Sequence, residues 1–464
     1  MFNKLKAYCK RDVYPFHMPG HKRNYKELGA DLPYHFDITE IDDFDYLHNP
    51  NGIIKNINDK ASAIYNCEHS FMLVNGSTSG VLSAISAVTD YGDKILVARN
   101  CHKSVYNAIE LNGLEAYYVL PEYNKEFDIH TKIAPESIKL ALNKHKDIKA
   151  VVITSPTYEG FVSNIKDISE ICHSYNIPLI VDEAHGAHLG LSEFFPSEAI
   201  KNGADIAILG LHKTLPALTQ CALLNVNSSL VDIYKLKEML SIYQTSSPSY
   251  ILMSSIDKCL EYISNDTNIK FNTYKNNLIA FYESISSLKH IRIFPYQTEY
   301  FDYGKLIIST LNSNISGIEL QEILRKDYNI ETEMSCNSYV LAMTSICDRE
   351  EGFKRLSNAL IKIDETLISN TNTKTQIKLS IPQKIHSVTN AKKLTGTVTK
   401  LENSVGKISL EYVFAYPPGI PILVPGEVID KETISVIDNL KNAKVNIIFS
   451  KSANTNEIFI SNNS

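Results

Sequence analysis

The stretch Ile177-Pro178-Leu179-Ile180-Val181-Asp182-Glu183-Ala184-His185-Gly186-Ala187-His188 changes character halfway along. An apolar run of strand length gives way to two acids and two histidines, so Asp182 falls at the carboxyl end of a buried strand. Open α/β sheets hold their ligands outside that end. Working outward from the strand at 178–181, similar runs occupy 71–74, 94–98, 116–120, 150–154, 206–210 and 222–226. Between them lie amphipathic segments, for example one placing Val162, Ile165, Ile168, Ile171 and Cys172 on a single helical face. The alternation predicts an α/β layered domain built on a mostly parallel sheet.

The composition fits that architecture. The chain has 464 residues, 44% hydrophobic and 21% charged, and at about 150 residues per domain it divides into roughly three units. Forty-six Lys and Arg against 52 Asp and Glu leave a net charge of −6, which supplies no basic footprint for nucleic acid or an anionic membrane. No apolar run reaches the roughly 18 residues of a spanning helix, and the start MFNKLKAYCKRD lacks the apolar core of a secretory signal. A cytoplasmic protein is expected. None of the eight cysteines forms a CxxC pair, so they read as reduced core thiols and not as a disulfide frame or zinc knuckle.

Four segments are expected. Residues 1–60 are rich in His, Pro, Asp and Tyr and read as an arm packed on something else. Residues 61–265 form the large domain, 266–370 a smaller α+β domain, and 371–464 a C-terminal domain carrying the turn YPPGIP. An Asn/Thr/Lys-rich linker, 369–375, precedes the last.

Three local patterns carry chemistry. Gly76-Ser77-Thr78-Ser79-Gly80 follows a strand and opens a helix, where free N–H groups, hydroxyls and glycines favour an anion such as phosphate. It has neither the Lys of a Walker loop nor a GxGxxG pattern, and by itself it is equally a capped helix start. Asp182 can hold a proton on a heterocycle nitrogen or bind a metal, but the HxxH pair His185 and His188 has no third ligand pattern, so no metal is expected. Gly210-Leu211-His212-Lys213 places an amine directly after a hydrophobic strand, where desolvation disfavours its cationic form and leaves a nucleophile able to form a Schiff base. A solvated strand-end lysine is the alternative. Taken together, a phosphate cradle, an acid and an amine at one rim of one sheet meet the needs of pyridoxal phosphate.

At this point the chain resembles the ornithine/lysine/arginine decarboxylases of fold type I, in the shorter bacterial form without an N-terminal receiver-like domain. The segments PFHMPGHK, DITE with LHNPNGII, NGSTSG, RNCHKS, SPTYEG, VDEAHGAH, LHKTLPALTQ, TSSPSY and YPPGIPILVPGE carry the resemblance, in order, along nearly the whole chain. It implies that Lys213 is the Schiff-base lysine and Asp182 the partner of the pyridinium nitrogen. Ser77, Thr78 and Ser79, with His212, would surround the phosphate. His102 would lie over the ring and handle a proton, and His185 would sit near the phenolic oxygen. Thr245 and Ser246 would reach the phosphate of a neighbouring subunit in a homodimer. Relatives often have Ser where this chain has Gly210, which removes one phosphate donor.

The implied reaction is decarboxylation of a basic L-amino acid, arginine before lysine before ornithine, feeding polyamine synthesis. The cationic end of the substrate needs a carboxylate, for which Glu411 and then Glu40 are the candidates. An aminotransferase or another lyase on the same fold is the main alternative. Against it, the last arginine is Arg355, which leaves the C-terminal domain without a clamp for an α-carboxylate. A silent regulatory homologue is the second alternative, disfavoured because the lysine and its acid are both present.

Overall fold

A computed structural model describes Asp12, residues 14–16, Glu40, and residues 44–369, 380–416, 419–442, 445–452 and 454–462. The seven expected strands form one sheet: β1 (His69–Leu73), β2 (Lys94–Ala98), β3 (Glu115–Val119), β4 (Ile148–Thr154), β5 (Leu179–Glu183), β6 (Ile206–Leu209) and β7 (Ala222–Val226). Their order across the sheet is β1-β7-β6-β5-β4-β2-β3. Only β7 runs against its neighbours; the other pairs are parallel. Every residue of β5, β6 and β7 is buried, as a sheet covered on both faces requires.

Three helices set the rim of this sheet: α1 (Gly76–Val88) after β1, α2 (Lys103–Leu111) after β2, and the single turn α3 (Leu211–Thr214) after β6. Gly80 lets α1 lie flush on the strands, because a Cβ there would stand 2.5 Å from Leu73 Cδ1.

The second unit is an antiparallel sheet of β8 (Arg292–Ile293), β9 (Lys305–Ser309), β10 (Met334–Ser335) and β11 (Tyr339–Met343), in the order β8-β9-β11-β10. Helices Thr267–Ser284, Gly317–Asp327 and Glu350–Asp364 accompany it. Part of the N-terminal segment lies on this unit: Tyr14–Phe16 pairs in parallel with Ile330–Thr332, and the Tyr14 hydroxyl donates to Asp348 at 2.5 Å. The boundary expected at residue 60 falls inside helix Ile53–Ile64, and the one at 265 falls between helices Tyr250–Ser264 and Thr267–Ser284. Of the expected linker only Ser369 lies within the described residues.

The C-terminal unit contains β12 (Gly396–Lys400), β13 (Val413–Tyr416), β14 (Ile420–Leu423), β15 (Asn446–Phe449) and β16 (Glu457–Ser461). β12 pairs with β16, and the other three follow the order β14-β13-β15. This unit has its own apolar core around Val413, Leu423, Ile437 and Ile458. It is joined to the large sheet by Arg99, just past β2. The guanidinium donates to both carboxylate oxygens of Glu427 at 2.8 Å and to the Ile422 carbonyl at 3.1 Å, and both side chains are fully buried. Among the described residues no helix is long and apolar enough to cross a membrane, and the described cysteines are all free thiols.

Candidate active site

Strand register brings the chemistry to one place. In the parallel ladder Thr154 at the end of β4 stands opposite Asp182 on β5, and Asp182 opposite Ile208 on β6. The residues leaving these strand ends, with the first turns of α1 and α2, enclose a cavity of about 600 Å³. Ser77, Thr78, His102, Asp182, His185, His212 and Lys213 all line it. Seven residues chosen from the sequence thus share one site.

Lys213 rides on α3, with its Nζ 3.0 Å from His185 Nε2. Burial pushes its amine below the ordinary lysine range, and the nearby carboxylates of Asp182 and Glu333 work against that shift. Asp182 is 4% exposed. Burial raises its pKa, while Lys213 and the Ala184 N–H, which donates at 3.2 Å, favour the charged form.

His102 caps α2: its Nδ1 accepts from the Ser104 N–H at 3.2 Å and lies 2.9 Å from the Ser104 hydroxyl. A ring whose Nδ1 lone pair serves as a cap carries its proton on Nε2. Burial, then Lys213 and Lys103, bring its pKa down to about 4. At neutral pH His102 is therefore an uncharged plate on the cavity wall.

The anion cradle is shaped by glycine. Gly76 has φ +75° with open space beside it, so the chain turns sharply and presents Ser77 and Thr78. Ser77 Oγ and Asn100 Oδ1 are buried polar atoms of cavity-lining residues and have no hydrogen-bond partner among the described residues. Ser79 is different: its hydroxyl donates back to the Gly76 carbonyl at 2.9 Å, and the residue does not line the cavity. His212 Nδ1 stands 3.1 Å from the Cys221 carbonyl, which fixes its ring at the cavity edge. Gly210 fits tightly, since a Cβ would lie 2.6 Å from the Ala184 carbonyl oxygen and 3.2 Å from Ser77 Oγ. The orphaned hydroxyl, the buried acid and the poorly solvated amine fit a phosphorylated pyridine aldehyde.

The remaining candidates lie elsewhere. Glu411 is not brought to the cavity: fully buried in the C-terminal unit, its carboxylate accepts from the N–H groups of Lys451, Ser452 and Phe459 at 2.7, 2.9 and 2.6 Å and from the Ser452 hydroxyl at 2.5 Å. Glu40 is exposed and outside the cavity lining. Thr245 is half-buried and Ser246 exposed, and neither lines the cavity of this chain. His185 and His188 diverge, the second meeting Asp302 at 3.1 Å. Among the described residues no cluster of three His, Cys, Asp or Glu is placed to hold a metal.

Sequence reasoning missed two acids on the wall, Glu159 and Glu333. Tyr339 donates to Glu159 at 3.0 Å and Tyr158 to Glu333 at 2.5 Å. Burial raises the pKa of Glu159. It also missed Lys305, whose Nζ lies 2.8 Å from His185 Nδ1. Glu159 had a signal, because it belongs to SPTYEG; Glu333 and Lys305 sit among short strands with no motif around them.

Residues 1–305 match the model of the Orn/Lys/Arg decarboxylase major domain, and residues 375–447 that of the Orn/Lys/Arg decarboxylase C-terminal domain. The chain is 32% identical to the arginine decarboxylase of Bacillus subtilis (strain 168), over 94% of this chain and 92% of the relative. It is 24% identical to the lysine decarboxylase LdcA of Pseudomonas aeruginosa, over 55% of this chain and 38% of that one. In fold it is similar to the constitutive lysine decarboxylase of E. coli, with a TM-score of 0.75 and 18% identity over 99% of this chain and 81% of the other. Alanine–glyoxylate aminotransferase from Nostoc sp. superimposes with a TM-score of 0.58 at 14% identity, covering 74% and 92% of the two chains.

Proposed function

The chain belongs to the Orn/Lys/Arg decarboxylase family, pyridoxal-phosphate-dependent amino acid decarboxylases, and from that premise we propose that it converts L-arginine to agmatine and CO2 for polyamine synthesis. The observation that carries the reading is the meeting of Ser77, Asp182 and Lys213 in one cavity. Arginine is preferred over lysine and ornithine because the relatives matched over nearly their full length are named arginine decarboxylases.

The cofactor, when bound, supplies an aldehyde for the substrate amine and a ring that takes up the electron pair left as CO2 departs. Lys213 is the amine for that aldehyde. Ser77 and Thr78, with the free N–H groups at the start of α1, would hold the phosphate, and His212 would support it. Asp182 would keep a proton on the ring nitrogen, favoured by the low dielectric around it. His102, neutral and fixed by its cap, suits a role as a flat platform; the return of a proton to Cα falls to Lys213 Nζ. Glu159 and Glu333 would receive the cationic end of the substrate, in place of Glu411 and Glu40. Thr245 and Ser246 would face a second copy of the chain in a homodimer.

The test is the purified holoprotein with arginine labelled at the α-carboxyl carbon. Labelled CO2 and equimolar agmatine are expected, with slower turnover of lysine and ornithine. Stoichiometric keto acid with the label retained would instead make the protein an aminotransferase.

A further inference from the structure

His185 sits between two amines. Its Nε2 lies 3.0 Å from Lys213 Nζ and its Nδ1 2.8 Å from Lys305 Nζ. The lysines come from different units, one on α3 of the large sheet and the other as the first residue of β9. Lys305 is 1% exposed and His185 5%. Space for Lys305 is left by Gly160, where φ is +107° and a Cβ would stand 2.6 Å from Lys305 Cγ.

A neutral imidazole has one N–H and one lone pair. Two ammonium groups cannot both donate to it, and two amines would leave one lone pair facing another. One lysine must donate as an ammonium while the other accepts as an amine. A charged ring between two neutral amines is disfavoured, since burial and the adjacent Lys213 and Lys305 push the His185 pKa well below its ordinary value.

The surrounding charges choose the direction. Lys305 is faced by the carboxylates of Asp302, Glu333 and Glu159, and Lys213 by Asp182 and Glu333. His188 shares Asp302, and the rings of His102 and His212 also face His185. Three acids around Lys305 against two around Lys213 place the charge on Lys305. Burial brings Lys305 down to about 8, which leaves it a cation at neutral pH.

We propose that Lys305 is a positioning residue for the proton: Lys305 donates to His185 Nδ1, His185 Nε2–H donates to Lys213, and Lys213 is thereby held as a neutral amine. This deepens the reading of Lys213 as the group that takes the aldehyde, yet the state of its amine is measurable without cofactor.

The experiment is competitive acetylation of the full-length, cofactor-free chain with trace acetic anhydride across pH, read at each lysine by mass spectrometry. Lys213 is expected to label with a midpoint at least about one unit below the ordinary ~10.4 of lysine. In Lys305→Met, His185 is free to turn its lone pair toward Lys213, so the midpoint rises by about one unit or more and labelling at neutral pH falls about tenfold. His185→Gln keeps a carbonyl for Lys305 and an N–H for Lys213 and should retain the low midpoint, whereas His185→Met should lose it. Thermal melts report whether each variant folds, and the Gln and Met pair decides the matter if Lys305→Met does not. A Lys213 midpoint that ignores both substitutions overturns the proposal, as does a wild-type chain in which Lys305 is the reactive amine. Failure of the functional reading looks different: Lys213 labels as expected, but no substrate loses CO2.

Discussion

Arg99 and Glu427 face each other through two hydrogen bonds of 2.8 Å, sealed from water, and so tie the rim of the large sheet to the C-terminal unit. Removing one partner leaves the other charge buried alone. Arg99→Met should cost about 3–5 kcal/mol in denaturant unfolding, and Arg99→Met with Glu427→Met together should cost less than the single change. A loss below about 1 kcal/mol in the single variant, the value of an exposed pair, would show that water reaches Glu427.

Gly160→Ala is expected to strike Lys305. The added Cβ meets a buried side chain 2.6 Å away, at a backbone angle that L-residues rarely adopt. Overpacking of this kind costs about 1–3 kcal/mol, and the left-handed backbone adds roughly 1–2 kcal/mol. The melting temperature should fall, and Lys213 should acetylate more like an ordinary lysine. An unchanged Lys213 alongside a lowered melting point would separate packing from proton control.

His102 should make stability depend on acid. Its folded pKa near 4 lies below the unfolded value of about 6.5. Between those values the unfolded chain binds more protons, so the contribution is complete above about pH 6.5 and is lost as pH falls toward 4. His102→Asn keeps a cap acceptor without a titrating group. Wild type should lose stability relative to this variant across that window, measured by paired urea melts; a constant difference would count against a neutral His102.

Glu159 and Glu333 should govern the substrate side chain. Charge-assisted hydrogen bonds contribute about 1.5–3 kcal/mol, so Glu333→Gln or Glu159→Gln should raise KM for arginine roughly 10- to 100-fold with a smaller change in kcat. Equal falls in kcat and kcat/KM would assign these acids to Lys305 and the reacting end instead.

Much of the sheet was legible because its signal is local. All seven strands lie within two residues of their expected ends, since a parallel strand buried on both faces must be apolar along its length. Asp182 and Lys213 were legible for the same reason: each follows such a run, and strand ends converge on one rim. Glu411 was misjudged as a substrate ligand because a glutamate satisfied by backbone donors some forty residues later looks, in sequence, like one awaiting a cation. Ser79 was misjudged because a serine in a helix's first turn serves its own backbone as readily as a ligand. Lys305 and Glu333 were invisible, since their meaning depends on how a second, antiparallel unit docks against the first.

The order of the large sheet has a consequence for how the chain is made. β1 emerges first, yet its partner is β7, the last strand to be synthesised. While the ribosome works through the intervening length, the opening strand waits with its pairing groups unspent, and the final strand must slot between β1 and β6 to close the layer. Such long-range closure is slow and leaves sticky edges exposed. The nascent protein therefore depends on chaperone shelter until residue 226 has cleared the exit tunnel.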